Sequence, residues 1–235
     1  MIKNIANDYF HHLEFLSKEA EFLTENNLVK LTTNNDLIIE VPYASSNNFC
    51  NQQLYSHPFV YLHHDAFNAL QKAIEEAKKL GYKIKIWDGF RPFECQAFMA
   101  DEFPNYVENG YVSHSVDGIA THVRGIAVDL TLIDQNYQEL DMGTFFDEMI
   151  EQANLYSPKI SKEQTANRKI LSEIMIKSGF EIYDFEWWHY NLKIFARNQQ
   201  NQICGAIEQQ AKKYPKITKK FPELLSEKVK NKYKQ

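Results

Sequence analysis

The sequence predicts an α+β fold, and three observations lead there. Segments with helical periodicity interleave with short segments that alternate in the manner of half-buried strands, without the regular rhythm of βαβ units. The strand-like stretches look antiparallel and are bounded by glycine or charged turns rather than by long crossovers. No internal repeat is evident in the 235 residues, and that length is ample for one real core.

The elements follow in chain order. An amphipathic helix is expected over Tyr9–Thr24, inside a polar, amide-rich opening. Tyr43-Ala-Ser-Ser-Asn-Asn-Phe49 reads as loop. From Asp65, Ala66, Phe67, Leu70, Ala73, Ile74, Ala77 and Leu80 recur at helical spacing, with Gly81 where a C-cap glycine belongs. In Tyr82–Trp87, Lys83 and Lys85 alternate with Ile84 and Ile86, the mark of a strand with one wet and one buried face. The turn Asp88-Gly-Phe-Arg-Pro92 ends it and opens a helix running towards Phe103. Pro104–Ala120 is loop-like, with Gly110 and Gly118. Ile126–Leu132 is rich in branched residues and should be a strand. Asn167–Ser178 carries Ile170, Leu171, Ile174 and Met175 on one helical face, closed by Gly179. Phe180–Tyr183 and Trp187–Leu192 complete the strands.

Composition narrows the function classes. At 44% hydrophobic and 24% charged the chain is an ordinary globular one, and charges or amides interrupt every apolar run well short of the roughly 20 residues of a membrane span. Asp8, His11, His12 and Glu14 arrive before any signal-like apolar stretch, so no secretory signal is read. Three widely spaced cysteines, Cys50, Cys95 and Cys204, match neither a zinc knuckle nor a disulfide framework, which points to idle thiols in a reducing, cytoplasmic setting. The net charge of −5 is uneven: residues 197–235 hold ten basic and three acidic side chains, so the body is acidic and the tail basic. The tail reads as a solvated lysine-rich helix, with an acidic partner or the body's own surface as the sharper possibility. The aromatic interleaving and groove-reading helix of a nucleic-acid binder are missing. No oligomeric state can be read.

Of eight histidines, two have a setting that suggests ligation. His122 precedes a predicted buried strand, Ile126-Ala-Val-Asp-Leu-Thr-Leu132, that holds Asp129; His189 opens a strand otherwise made of aromatics. Burying the Asp129 carboxylate costs several kcal/mol unless a cation or metal compensates. Two imidazoles and a carboxylate would leave zinc an open fourth position. The alternative is a buried aspartate paired with Arg124 beside two half-buried histidines. Non-haem iron is disfavoured, since its first histidine and acid usually lie two residues apart and here the gap is seven. Glu186, three residues before His189, is a candidate general base, although in a flat strand the two would point to opposite faces. Arg91, set by a glycine turn and Pro92, could stabilise an oxyanion or simply cap the turn.

Together these segments strongly resemble the VanX-type D-alanyl-D-alanine dipeptidases, a branch of the zinc D,D-peptidases. The matching motifs are Tyr43-Ala-Ser-x-x-Asn-Phe49, Trp87-Asp-Gly-Phe-Arg-Pro92, His122-x-x-Gly-x-Ala-x-Asp129, Asp141-Met-Gly-Thr-Phe-Phe-Asp147 and Ser178-Gly-Phe-Glu…Glu186-Trp-Trp-His-Tyr190, in order across about residues 40–192. The resemblance implies a small central antiparallel sheet flanked by helices, the zinc D,D-peptidase/hedgehog-like fold. It implies one zinc ion per chain, held by His122, Asp129 and His189, with Glu186 as general base and Arg91 steadying the tetrahedral intermediate. It further implies Asp147 and Tyr43 as substrate-binding residues for a small dipeptide, D-Ala-D-Ala. Where the family usually carries serine two residues before the first zinc histidine, this chain has Ala120, so the implied substrate anchor is either weaker or shifted onto Thr121. The implied organisation is a dipeptidase domain over 1–196 and a basic, helical C-terminal extension over 197–235, which the compact family members lack. Two other readings stand beside it: a related zinc D,D-carboxypeptidase or peptidase of other short peptidoglycan peptides, and a zinc-stabilised binding module without turnover.

Overall fold

A computed structural model describes residues 2–114, 119–193 and 213–234. The chain opens with α1 (Ile2–Glu25), longer than the helix expected over Tyr9–Thr24, and continues through β1 (Leu28–Lys30), β2 (Leu37–Ile39) and β3 (Tyr61–His63). Then come α2 (His64–Lys79), β4 (Lys83–Asp88), α3 (Phe93–Glu102) and α4 (Pro104–Glu108), the last lying where loop was expected. β5 (Ala127–Ile133), α5 (Lys162–Ser178), β6 (Phe180–Ile182), β7 (His189–Leu192) and α6 (Glu227–Lys232) complete the α+β order.

The main sheet has five strands in the order β2-β4-β5-β7-β6. β4, β5, β7 and β6 pair antiparallel, as the sequence led one to expect. β2 corrects that expectation: it joins β4 in parallel, with Leu37 opposite Ile84. A separate ribbon pairs β1 with β3. All seven residues of β5 are buried, so this central strand is covered on both faces. α2 packs against β4 and α5, and α5 packs against β6. The helix expected from Asn167 begins earlier, because Ser161 accepts from the Gln164 amide while the Gln164 side chain accepts from the Ser161 amide, a complete capping box. Gly179, at φ 105°, closes it in the left-handed conformation that glycine adopts without steric cost.

The described part of the basic tail, residues 213–234, differs from a solvated helix. Residues 194–212 lie outside the described residues. In 214–234 the described α-helix is the six-residue α6, and Tyr214, Ile217, Phe221, Leu224, Leu225 and Val229 are buried in the core. Phe221 packs on Phe15 and Phe22 of α1, and the Ser226 and Ser56 amides donate to Leu54 and Leu224 carbonyls across a short antiparallel bridge. The tail lysines meet the acidic body directly: Lys213 pairs with Asp65, Lys219 with Glu25, and Lys232 with Asp101 and Glu102, while the tail's Glu223 pairs with Lys18 of α1. The body's own surface is therefore the partner of this part of the tail. Cys50 and Cys95 are free and buried, while Cys204 falls outside the described residues.

Candidate metal centre

Sheet register builds the centre. Asp129 lies opposite Asp88 on β4 and opposite His189 on β7, so three adjacent strands deliver three polar side chains to one row. His122 arrives from a turn of 3-10 helix, His122–Arg124, immediately before β5. Gly125 ends that turn at φ 66°, and a Cβ there would stand 2.8 Å from a Leu28 methyl, so glycine is required on both counts.

The donor atoms converge. His122 Nε2 is 3.1 Å from His189 Nδ1 and 3.3 Å from Asp129 Oδ2, while His189 Nδ1 is 3.0 Å from Asp129 Oδ1. A tetrahedral ion with bonds of about 2.0–2.1 Å has ligand–ligand edges of about 3.3 Å, so the spacing fits zinc. The outer hydrogen bonds agree. His122 Nδ1 lies 2.7 Å from the Gly89 carbonyl and His189 Nε2 lies 3.0 Å from Asn191 Oδ1. A carbonyl can only accept, so the proton is assigned to His122 Nδ1 and, by the same logic, to His189 Nε2. Both inward nitrogens then carry lone pairs facing a carboxylate, an arrangement that calls for a cation between them. Without a metal, burial pulls the Asp129 carboxyl upward, but His122 and then His189, when protonated, outweigh it and hold it below the ordinary range, so positive charge at this point keeps the carboxylate ionised. Arg124, the alternative partner for Asp129, donates instead to the Ile119 and Tyr214 carbonyls.

Glu186 reaches the same place. The Glu186–Trp188 segment is a turn rather than strand, closed by the His189 amide donating to the Glu186 carbonyl. This turn removes the opposite-face objection: a Glu186 carboxylate oxygen stands 4.0 Å from His189 Nδ1. Burial, reinforced by the Asp129 charge and opposed by His122 and Arg91, pushes the Glu186 carboxyl up to about 8. Arg91 is buried and donates Nε and Nη2 to Asp88 Oδ2 at 3.0 and 2.8 Å and Nη1 to Gln96 Oε1 at 3.0 Å. Asp88 is itself fixed by the Tyr55 hydroxyl and the Gly89 amide. The guanidinium lies 3.8 Å from Asp129 and 5.2 Å from the Tyr43 ring centroid, aimed at the metal centre rather than at solvent.

All of the sequence-derived candidates line one cavity of about 200 Å³: Tyr43, Arg91, Thr121, His122, Asp129, Asp147, Glu186 and His189. Tyr43 donates to Asp147 Oδ1 at 3.1 Å, and Asp147 Oδ2 is buried with no partner. Desolvation, with Asp129 nearby, raises the Asp147 carboxyl well above the carboxylate range, against the pull of Tyr43 and Arg91. An unpartnered, buried carboxyl oxygen lining a cavity could receive a positively charged group from outside the chain. Ala120 is buried at φ 44° and offers only a methyl group, while Thr121 beside it faces the cavity. Residues the sequence reasoning passed over also line it, among them Gln96, Tyr111, Tyr183 and Asn191. Asn191 was findable, since a residue two after His189 shares its face of a strand. Gln96, Tyr111 and Tyr183 carried no comparable signal.

A buried pair of histidines and an aspartate at metal spacing, with a desolvated carboxylate and an arginine alongside, defines a metal-dependent hydrolase. Comparison with known proteins makes this particular. Residues 24–207 match the Peptidase M15 family model, described as D-ala-D-ala dipeptidase, and the chain belongs to that family. It is 38% identical over 159 residues to the D-alanyl-D-alanine dipeptidase of Escherichia coli K12, covering 67% of this chain and 79% of the relative. It is 33% identical over 175 residues to that of Enterococcus faecium, covering 66% and 85%. A vancomycin-resistance D,D-dipeptidase, VanXYg, solved with a D-Ala-D-Ala phosphinate analogue, aligns over 79% of this chain and 75% of that one at 16% identity and a TM-score of 0.36.

Proposed function

We propose that this metallopeptidase hydrolyses the dipeptide D-Ala-D-Ala to two D-alanines with one zinc ion per chain. The observation that carries the reading is the convergence of His122, Asp129, His189 and Glu186 at one end of the cavity, with the orphaned Asp147 oxygen in the same space. Zinc held by His122, Asp129 and His189 would supply Lewis-acid polarisation and acidify a water to a pKa of about 7.

The chain's own groups do the rest. Glu186, held in a dry pocket, takes the proton of the attacking water and returns it to the departing amine. Burial raises its affinity for a proton, and the charge of a bound zinc ion would oppose that rise and favour the ionised form that a base requires. Arg91, clamped by Asp88 and Gln96, presents its guanidinium to the negative charge that develops on the carbonyl oxygen. Asp147 Oδ2 accepts from the substrate's ammonium, and Tyr43 holds the other oxygen of that carboxylate in place. Thr121 supplies a hydroxyl near the substrate where Ala120 supplies none. The reading carries with it a cytoplasmic location, consistent with the buried free thiols Cys50 and Cys95; no described helix is long and apolar enough to cross a membrane.

The test is a panel of alanine dipeptides of every stereochemistry given to the zinc-loaded protein, with a pentapeptide stem beside them. Hydrolysis confined to D-Ala-D-Ala supports the proposal. The missing hydroxyl at Ala120 favours a second reading, a peptidase of longer peptidoglycan peptides, and faster turnover of the pentapeptide would establish it. Zinc binding without cleavage of any substrate would leave only a binding module.

A further inference from the structure

The C-terminal segment reaches the turn that carries His122. Arg124, 8% exposed, donates Nε to the Ile119 carbonyl at 2.8 Å and Nη1 to the Tyr214 carbonyl at 2.5 Å. Three residues on, the Ile217 amide donates to the Val123 carbonyl at 3.0 Å. The segment is anchored in turn: the Tyr214 hydroxyl donates to Asp65 Oδ2 at 2.6 Å at the start of α2, and its ring meets His63 edge-on at 4.7 Å. On the other side, the His63 amide donates to the Gly125 carbonyl at 2.8 Å. Residues 119–125, which include Thr121 and His122, are thus strung between the tail and the β3–α2 junction.

The need for such a brace follows from where the ligands sit. Asp129 and His189 are fixed by paired strands, but His122 stands on one turn of 3-10 helix that follows Ala120 in a left-handed conformation. A single 3-10 turn has poor hydrogen-bond geometry and does not hold itself. Metal sites depend on outer contacts that orient the ligands.

We infer that the C-terminal segment around Tyr214–Ile217, gripped by Arg124, is a positioning element that holds the His122 turn in register with Asp129 and His189. Arg124 and Tyr214 are then positioning residues that never touch the substrate. The inference rests on the metal role proposed for His122. It gives the basic extension a function in the reaction, and it explains why an arginine stands between His122 and Gly125: only a planar fork of donors reaches two carbonyls on different segments at once.

The test uses the full chain in four variants: Arg124→Met, Arg124→Lys, Tyr214→Phe and, as a stability control away from the brace, Val229→Ala, which hollows the tail's buried contact. Zinc affinity is read by competition with a chromophoric chelator, beside kcat, KM and thermal unfolding. Arg124→Met is expected to weaken zinc retention by about 10-fold or more and to lower kcat by a similar factor, with KM changed by no more than about twofold. Arg124→Lys, with one donor group for two carbonyls, should recover part of both, and Val229→Ala should melt earlier yet keep its zinc. If Arg124→Met retains zinc and kcat like the wild type, or loses them only as far as Val229→Ala does, the inference is overturned. Should Arg124→Met not fold, Arg124→Lys and Tyr214→Phe decide: a smaller loss of zinc affinity in both supports the brace, and wild-type affinity in both overturns it. A wild type that cleaves no D,D-dipeptide while Arg124→Met still loosens zinc would refute the proposed activity and leave the brace standing.

Discussion

Two parts of the cavity are built on different principles. The metal end stands on the sheet: Asp129 and His189 face each other across paired strands, and their positions are fixed by a ladder that also holds the core. The end to which we assign the substrate stands on irregular chain: Tyr43 belongs to a single 3-10 turn, and Asp147 lies in a loop at φ 61°, a conformation a non-glycine residue adopts only at some cost. That loop is fastened from behind by Arg168 of α5, which donates to the Met142, Gln152 and Asn154 carbonyls, and by Trp187, which donates to Thr144. The lesson is a division of labour. Two of the three ligands, Asp129 and His189, are placed on strands and His122 on a turn fastened beside them, while the part proposed to select the substrate is placed on loops, where sequence can change without disturbing the ladder.

The sharpest way to break this contrast is to remove a ligand from the ladder. Asp129→Asn and His189→Ala are expected to abolish zinc binding and hydrolysis together while the sheet persists, as checked by metal analysis and far-ultraviolet circular dichroism. Zinc at one per chain in either variant would disprove the ligand assignment. Next in size, Arg91→Lys keeps a charge but loses the fork clamped on Asp88 and Gln96, and kcat should fall by about 10²–10³ at nearly unchanged zinc content. A change on the loop side should look different. Asp147→Asn removes the anion for the substrate's ammonium, so KM should rise by about 10–100-fold while zinc stays bound; a loss of zinc there would erase the distinction between the two ends.

A smaller effect concerns stability in the metal-free protein. Glu186 titrates near 8 when folded, against an ordinary 4.5, so it favours the fold fully below pH 4.5 and that contribution is lost as pH rises through 8. Metal-free Glu186→Gln should therefore match the wild type in melting temperature near pH 4.5 and exceed it at pH 8 and above. Equal melting at every pH would show that the Glu186 carboxyl is not desolvated.

Much of the metal end was legible in the sequence, because an acid inside Ile126–Leu132 contradicts the apolar pattern around it and demands compensation. α2 was legible from its helical period and β4 and β5 from their branched residues, although neither strand keeps the wet face that alternation implies, since Lys83 and all of β5 are buried; the start of α5 could have been read from Ser161 and Gln164. β1, β2 and β3 were not, since three residues are too few to show alternation, and the parallel pairing of β2 with β4 depends on partners more than forty residues apart. Asp147 had no local signal at all; tertiary placement alone brings it to Tyr43, and only the family resemblance singled it out. In the described part of the tail, residues 213–234, the solvated-helix reading gives way to the body's own surface for a simple reason. Counting charges from 197 to 235 concealed the buried Tyr214, Ile217, Phe221 and Leu224 that interleave with the lysines.

The central claim is that Glu186 acts as the base beside a zinc ion held by His122, Asp129 and His189. Its most direct test is Glu186→Gln, which keeps the shape of the side chain and the three ligands while removing the carboxylate. Zinc should remain at one ion per chain, and kcat on D-Ala-D-Ala should fall by about 10²–10⁴. A variant that keeps its zinc and hydrolyses the dipeptide at the wild-type rate would contradict the account.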